Sequence, residues 1–372
     1  MLKITSYIIP FCSAVIISAL LTVIIKKVSW LLNIVDDPKL QPDRKIQAEP
    51  TPLLGGLAIF LTFSLVMLIY ALFTDRLIGG YLLPKHIVGI SLGGLFIMIG
   101  GILDDKFNLA PKKQIVWPLL ACLAVIAAGI GINYITNPLG GTLYLDQIKI
   151  KLFSLADTPY FLVLWADFFA LLWLMGMSYT TKFLDGLDGL VAGITTIGAF
   201  VIFLLSLNQE VAQPETALLA IILAGSVLGF LFFNWHKAKI FLGEGGSLFC
   251  GFMLGVLAIV SGAKIATALL IMGIPILDVI WVIIRRTLYE KKSPFFSDKK
   301  HLHFRILEAG LSHRATVLLL YFLTILFGLA ALFFTGQDKL WSLLILILVM
   351  LILAVLLLVA YRRRTSLTDN SK

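Results

Sequence analysis

Apolar runs of about 20 residues, the length of a membrane-spanning helix, recur along the whole chain and are separated by short polar or Pro/Gly-containing breaks. Because 59% of the residues are hydrophobic and only 14% are charged, a soluble domain is excluded. The runs predict eleven membrane spans. They are placed at 5–25, 53–73, 87–103, 116–133, 159–177, 188–207, 216–233, 247–262, 264–284, 315–335 and 340–361.

Lys and Arg are distributed unevenly among the loops. An odd number of spans puts the termini on opposite faces, and 23 of the 30 basic residues then fall on one face. The positive-inside rule makes that face cytoplasmic, so the N-terminus is predicted outside and the C-terminus inside, with a basic cytoplasmic tail at 362–372. The net charge of +9 therefore records orientation first, and no nucleic-acid partner is expected.

One outer loop is long enough to carry structure. It covers 134–158, and its alternation of apolar and polar residues predicts a hairpin. The predicted fold class is an all-α polytopic membrane protein with a small extracytoplasmic β-ribbon near 140–152. The whole chain, 1–372, is expected to form one domain, whose inner loops are 26–52, 104–115, 178–187, 234–246 and 285–314.

The carboxylates of the inner loops occur in pairs at span ends. The pairs are Asp36-Asp37, Asp104-Asp105 and Asp185 with Asp188, and a fourth inner loop carries Glu244 within a Gly-rich stretch. Close carboxylates repel each other unless they share a cation, and oxygen ligands suit Mg²⁺. A helix cap would explain one pair alone, but three pairs on one face favour a site for a divalent ion.

Groups that suit phosphate lie on the same face. The glycines around Gly243 precede a span, where helix N-terminal N–H groups favour anions. His301 and His303 follow two lysines, and they more plausibly donate hydrogen bonds to phosphate than bind a metal. Asp278, inside an apolar run, is expected to have a structural partner. Together with the membrane, these groups indicate phosphoryl transfer between a soluble and a lipid phosphate.

Five ordered motifs resemble those of the polyprenyl-phosphate N-acetylhexosamine-1-phosphate transferases, which form glycosyltransferase family 4. The motifs are Asp36-Asp37-Pro38 with 44–45 and 50–56, Gly100 to Asp105, Phe183 to Leu190, Asn234 with 238–243, and His301-Leu302-His303 with Gly310 and His313-Arg314. The His301 region looks more like the GlcNAc-1-phosphate branch than like phospho-MurNAc-pentapeptide translocase. The resemblance covers nearly the whole chain.

The resemblance implies transfer of a sugar 1-phosphate, with GlcNAc 1-phosphate favoured, from a UDP-sugar to undecaprenyl phosphate, with release of UMP. It also implies eleven spans, Mg²⁺ or Mn²⁺, and a cytoplasmic site in a bacterial inner membrane, with a homodimer as an option. The candidate catalytic residues are Asp104, Asp105, Asp185 and Asp188. The candidate substrate-binding residues are Lys45, Lys112, Lys182, Asn234, Gly243, His301, His303 and Arg305, and the candidate metal ligand is Glu244.

The chain also departs from the family pattern. The departures are Glu244 for Asp, Tyr179 and Lys182 for Asn, Gln47 and Phe304 for His, and Lys237 for Pro. Glu keeps an oxygen ligand but reaches one methylene further, and Lys182 introduces a positive charge where the family has a neutral amide.

Several alternatives stay open at this level. The lipid phosphate can attack the donor directly, or an enzyme carboxylate can first form a covalent phosphosugar intermediate. The function alternatives are phospho-MurNAc-pentapeptide transfer, a secondary transporter and an inactive relative that binds lipid phosphate. A transporter would place ionisable residues at mid-span, whereas most acids here lie at inner span ends.

Overall fold

The computed structural model describes residues 4–38, 49–136, 141–155, 158–209, 211–262, 265–291, 300–334 and 336–369. Fourteen α-helices are present in these ranges. They are α1 (Ile8–Leu31, preceded by a 3-10 turn at Ile4–Tyr7), α2 (Gly55–Phe73), α3 (Pro84–Phe107), α4 (Pro111–Gln114), α5 (Val116–Ala127), α6 (Leu164–Leu184), α7 (Leu190–Leu207), α8 (Pro214–Asn234), α9 (Gly243–Val260), α10 (Ile265–Ile271), α11 (Gly273–Ile284, continued by a π-helical turn at Arg285–Tyr289), α12 (Leu302–Glu308), α13 (His313–Phe333) and α14 (Gly336–Asp369).

The helices pack around a central group of three. In α7, α8 and α9, 72–83% of the most apolar stretch of each helix is buried inside the protein. In α14 the buried share of that stretch is only 11%. Helix α8 packs against α1 and α7, and α9 packs against α3 and α6. The outer helices expose large apolar side chains such as Leu31, Phe73 and Phe333, which suits contact with lipid chains.

Eight helices in the described ranges are long and apolar enough to cross a membrane, and a bent pair raises the number to nine. The class of polytopic membrane protein is confirmed, while the predicted number of eleven is not. Two of the predicted spans correspond to helices outside that set. Helix α5 is only 12 residues long and ends before Gly129, which has a φ of +93°. Helix α6 carries Asp167 and Lys182 and starts at Leu164, later than predicted.

The predicted span 264–284 is broken. Helices α10 and α11 meet at an angle of 79°. Pro275 lacks the N–H that would bond to Ile271, the last residue of α10, and this missing bond favours the break.

Short antiparallel ribbons lie between the helices. Two occupy the long loop: β3 (Tyr134–Thr136) pairs with β4 (Thr142–Tyr144), and β5 (Lys149–Leu155) pairs with β6 (Thr158–Val163). Strand pairing was therefore correctly predicted near 140–152, but the ribbons extend further on both sides. A third ribbon joins β1 (Val35–Asp36) to β2 (Thr51–Pro52). The Pro52 carbonyl accepts from Phe241 N at 2.8 Å, which fixes the loop before α9 beside the start of α2.

Candidate active site

The end of α3 and the start of α9 approach each other through glycines. A Cβ placed on Gly101 would lie 2.2 Å from the Cα of Gly245, and a Cβ on Gly100 would strike the Trp117 side chain. The Gly100-Gly101 pair therefore serves close helix packing. This contact brings Asp104 and Asp105, at the end of α3, to the first turn of α9.

Asp105 binds the N-terminus of α9. Its Oδ1 and Oδ2 accept from the backbone N–H of Glu244 at 3.1 and 3.2 Å. Gly243 has a φ of +72°, and a Cβ there would lie 2.5 Å from Asp105 Oδ2. Only glycine satisfies both the left-handed backbone and this close approach. The structure thus gives Gly243 a role in positioning the two carboxylates.

Asp104 is buried and organises the turn after α3. Its Oδ1 accepts from Leu109 N at 2.7 Å and from Gln114 Nε2 at 3.0 Å. Gln114 Nε2 also donates to the Leu109 carbonyl at 2.9 Å. These bonds fix the α3–α4 connection and turn the Gln114 carbonyl oxygen toward α6.

Lys182, near the end of α6, enters the same cluster. Its Nζ lies 2.8 Å from Glu244 Oε2 and donates to Gln114 Oε1 at 3.2 Å. A single network therefore runs from Asp104 through Gln114 and Lys182 to Glu244, whose backbone is held by Asp105. The two departures from the family pattern, Lys182 and Glu244, are in direct contact.

Asp185 lies in the turn between α6 and α7. Its side chain is open to solvent on one side. Desolvation by the surrounding protein, together with the negative charges of Glu244 and Asp188, nevertheless raises the pKa of Asp185 to about 8. Carboxyl groups are therefore crowded together at this end of the bundle.

Asp188 joins three segments of the chain. Its Oδ2 lies 2.8 Å from His236 Nδ1 and accepts from Ala238 N at 3.2 Å, while its carbonyl lies 3.3 Å from His313 Nε2. The ligand atoms of Asp188, His236 and His313 lie close enough together to hold a metal ion. The surroundings are basic, however, because Lys237 and Arg314 line the adjacent groove, and positive charge disfavours a cation.

That groove has a volume of about 540 Å³ and is lined by His236, Lys237, Ser312, His313 and Arg314. Arg314 Nη2 donates to the His236 carbonyl at 3.0 Å, which ties the start of α13 to the loop after α8. The Ser312 hydroxyl caps α13 by accepting from Ala315 N. Basic side chains and a helix N-terminus at one opening give the groove the character of an anion site.

Asn234 is 4% exposed and uses both ends of its amide. Its Oδ1 accepts from Gly189 N at 3.0 Å, and its Nδ2 donates to the Ile240 carbonyl at 2.9 Å. The side chain therefore positions the turn that carries Asp188 against the loop before α9. The substrate contact predicted for Asn234 remains a prediction, and the structure shows that its amide binds two backbone groups.

His301 and His303 are both buried, although a contact with phosphate was predicted. His301 Nδ1 lies 2.8 Å from Asp278 Oδ2, and Asp278 Oδ1 accepts from Leu302 N at 2.9 Å. The expected structural partner of Asp278 is thus His301. His303 is 1% exposed, and its ring nitrogens make no hydrogen bond within the described ranges. Burial and the neighbouring His301 and His313 lower the pKa of His303 to about 3, so it is neutral at physiological pH.

The remaining predicted residues differ in how much the structure says of them. Lys45 lies outside the described residues. Lys112 is exposed on α4. Arg305 is half-buried on α12, next to the buried histidines. Predictions of substrate contact for these three residues remain predictions.

Three polar residues of the site were not singled out from sequence. Gln114 lies at the far end of the inner loop that starts with Asp104-Asp105, His236 lies in a loop with no paired carboxylates, and His313 was named only as part of a motif. Their positions could have indicated them, because each lies in or beside an inner loop that carries an acidic or basic candidate residue. Their partners come from distant parts of the chain, which sequence spacing does not show.

The carboxylates suit a hard divalent cation. Desolvation raises the pKa of Asp185, the negative charges of Glu244 and Asp188 raise it further, and the Lys182 ammonium pairs with Glu244. Oxygen donors with excess negative charge are the chemistry that Mg²⁺ and Mn²⁺ prefer. The residues present therefore have the chemistry of the metal implied by the resemblance, with Glu244 as the predicted ligand.

The helices are long enough to cross a membrane, so the fold is that of a polytopic membrane protein. Acids, one lysine and a basic groove lie together at the helix ends, and they form a site suited to anionic ligands. Comparison with known proteins identifies the group. A sequence profile described as glycosyl transferase family 4 matches residues 87–262. The chain belongs to this family, which confirms the resemblance drawn from its motifs.

Three relatives illustrate the range of similarity. The chain is 30% identical to a probable undecaprenyl-phosphate N-acetylglucosaminyl 1-phosphate transferase of Bacillus subtilis, over 92% of this chain and 88% of the relative. It is 32% identical to a decaprenyl-phosphate N-acetylglucosaminephosphotransferase of Mycolicibacterium smegmatis, over 78% and 74%. It is 30% identical to a phospho-N-acetylmuramoyl-pentapeptide-transferase of Pelotomaculum thermopropionicum, over 78% and 86%.

Proposed function

We propose that this protein transfers N-acetylglucosamine 1-phosphate from its UDP-sugar to undecaprenyl phosphate and releases UMP, as a membrane step in making a cell-envelope glycan. The observation that carries the proposal is the joining of Asp104, Asp105, Lys182 and Glu244 into one network at the ends of apolar helices. This network supports the proposal of phosphate-directed chemistry beside a surface that suits a lipid chain. The similarity to the Bacillus subtilis relative across 92% of the chain supports the same activity.

The acceptor needs little help to become a nucleophile. The second pKa of a phosphate monoester is about 6, so the lipid phosphate is largely a dianion at neutral pH. The main task of the site is then to hold two anionic substrates together and to offset their charge. Lys182 and the basic groove beside Asp188 supply positive charge. Mg²⁺ or Mn²⁺, held by Glu244, would neutralise charge on the donor pyrophosphate.

The carboxylates that bind backbone groups act by positioning other residues of the site. Asp105 holds the start of α9 and Asp104 holds the α3–α4 turn, so both fix where Glu244 and Lys182 stand. Asp188 orients His236 by accepting from its Nδ1. A direct, single displacement fits these roles best, because the bonds to Asp105 and Asp104 reduce their strength as nucleophiles.

We further propose eleven membrane crossings in a bacterial inner membrane, with α5, α6 and the bent α10–α11 pair counted as crossings. In that topology the five inner loops, the site and the basic tail at 362–372 face the cytoplasm. The contacts described above all form within one chain.

The test is turnover by the purified protein in lipid nanodiscs with undecaprenyl phosphate, Mg²⁺ and a panel of UDP-N-acetylhexosamines. We expect UMP release with UDP-GlcNAc and its loss in Asp185→Asn. Lys85→Gln, a change on the opposite end of α3, is the matched control and should retain turnover. Absence of UMP release with every sugar nucleotide would overturn the proposal and favour a transporter or an inactive relative.

The second candidate is phospho-MurNAc-pentapeptide transfer, which the similarity to the Pelotomaculum relative supports. UDP-MurNAc-pentapeptide in the same panel decides between the two. Labelled UMP tests the reaction route: its exchange into UDP-sugar without acceptor lipid would support a covalent intermediate, and its absence would support direct displacement.

A further inference from the structure

We infer that Lys182 is a resident cation of the acid cluster, whose ammonium competes with a divalent metal ion for the Glu244 carboxylate. Its Nζ lies 2.8 Å from Glu244 Oε2, which is the distance of a close ion pair. The side chains of Lys182 and Glu244 are 16% and 34% exposed, so solvent screens the pair only in part. The protein would then carry in its own sequence part of the positive charge that a metal otherwise supplies.

The ammonium is held in place from a second direction. Gln114 Oε1 accepts from Lys182 Nζ at 3.2 Å. The Gln114 amide cannot turn over freely, because its Nε2 donates to Asp104 Oδ1 at 3.0 Å and to the Leu109 carbonyl at 2.9 Å. A lysine fixed by two oxygens from different helices is a built feature rather than a flexible surface charge.

The carboxylate is fixed as well. The backbone N–H of Glu244 is bound by Asp105. The backbone of Gly243, just before it, tolerates no side chain. Glu244 therefore presents its carboxylate from a rigid helix start, and its length lets it reach across to α6. Within the described ranges, Lys182 is the one Lys or Arg that forms an ion pair with the cluster of Asp104, Asp105, Asp185 and Glu244.

The ammonium of Lys182 and a metal ion oppose each other at the Glu244 carboxylate, because both are cations. Mg²⁺ and Mn²⁺ need direct oxygen contact, at about 2.1 Å for Mg²⁺, and the nearby positive charge of Lys182 opposes a second cation. Two consequences follow. Metal binding without substrate should be weak in this protein, and removing the Lys182 charge should strengthen it. If the proposed transfer reaction is correct, metal binding also frees the ammonium for the phosphates of the donor; this last step alone rests on the proposed function.

The experiment measures Mn²⁺ binding to the purified, substrate-free protein by the electron paramagnetic resonance signal of free Mn²⁺. We expect Lys182→Gln to bind Mn²⁺ at least about tenfold more tightly than the unchanged protein, since one opposing charge beside the ligand is removed. Lys113→Gln is the matched control, because it removes the same charge from an exposed position on neighbouring α4. It should change the affinity by less than about twofold.

A double substitution tests whether the effect acts through Glu244. In a Glu244→Gln background the gain from Lys182→Gln should disappear, because the contested carboxylate is gone. Lys182→Arg keeps the cation and the fold, so it should not bind Mn²⁺ more tightly than the unchanged protein. This variant keeps the inference testable if Lys182→Gln does not fold.

Three results would overturn the inference: unchanged Mn²⁺ affinity in Lys182→Gln, an equal gain in Lys113→Gln, or a tenfold gain in Lys182→Arg. These readouts are independent of turnover. Failure of UMP release would leave the metal result standing, and unchanged metal affinity beside normal UMP release would overturn this inference alone.

Discussion

Gly243 provides a sharp test of how the acid cluster is assembled. In Gly243→Ala, the new Cβ would lie 2.5 Å from Asp105 Oδ2 and 2.8 Å from the Leu53 carbonyl oxygen. In real proteins a Cβ atom essentially never lies within 3.0 Å of another heavy atom of this kind, and both distances are shorter than that. The carboxylate of Asp105 or the backbone must therefore move. The substitution therefore separates Asp105 from the Glu244 N–H without removing either residue.

The loss of folding stability in Gly243→Ala has two parts. An alanine held in the left-handed region costs about 1–2 kcal/mol. Weakening the bond from Glu244 N–H to the Asp105 carboxylate adds about 1.5–3 kcal/mol, the usual range for bonds to charged groups. We expect a total of about 2.5–5 kcal/mol, which lowers the midpoint of thermal unfolding by at least about 3 °C. Turnover should fall together with stability, because Glu244 is displaced from Lys182.

Unfolding can be followed with a maleimide dye that fluoresces on reaction with thiols. Cys122 and Cys250 are buried and report unfolding, whereas Cys12 is exposed and is first changed to Ser. Gly176→Ala is the matched control, because a Cβ at Gly176 in α6 meets no atom within 4 Å. If Gly243→Ala and Gly176→Ala unfold at the same temperature with equal turnover, the close approach of Asp105 does not organise the site.

Three further predictions use the same assay. Asp278→Ala leaves the donors of His301 and Leu302 buried without an acceptor, so it should destabilise the protein by about 2–6 kcal/mol. Asp278→Asn should destabilise the protein less, because its amide keeps one acceptor oxygen. Equal stability of both variants and the unchanged protein would contradict this prediction. Asn234→Ala should lower the free energy of unfolding by about 2–4 kcal/mol and lower turnover, because the two backbone groups at the turn carrying Asp188 lose their hydrogen-bond partner. Unchanged stability would contradict this prediction and would show that water replaces the amide. His303 is held neutral in the folded protein, whereas in the unfolded chain it protonates below its ordinary pKa, so its contribution to stability is full above about pH 6.5 and is lost as the pH falls toward 3. Between pH 7.5 and 5.5 the unchanged protein should lose about 1.4 kcal/mol more than His303→Leu, and equal losses would contradict the assignment.

The pH comparison needs the variant because Asp185 acts in the opposite direction. Its pKa is raised to about 8 in the folded protein, so protonation of Asp185 favours the folded state as the pH falls. The difference between the unchanged protein and His303→Leu removes this shared contribution. Only the titration of His303 then remains in the comparison.

Much of the helical architecture could be read from the apolar runs, because each run must be long enough to cross the hydrocarbon and must satisfy its own backbone. The runs do not show where a helix stops early or bends. Helix α5 ends before Gly129, and the run at 264–284 divides into α10 and α11, since local backbone geometry interrupts the helix within an apolar stretch. Hydropathy measures composition and is insensitive to such breaks.

The sequence by itself was sufficient to indicate the family. Its paired carboxylates and Gly-rich helix start also marked Asp104, Asp105 and Glu244 as candidates, because such groups occur only at certain span ends. Only the tertiary structure decided what each side chain binds. It buried His303, committed Asn234 to two backbone groups, and placed the ammonium of Lys182 on Glu244. The physical reason is that hydrogen bonds and ion pairs act over about 3 Å, whereas partners such as Lys182 and Glu244, or Asn234 and Gly189, are separated by tens of residues along the chain. Packing of α3, α6 and α9 is what brings those partners into range.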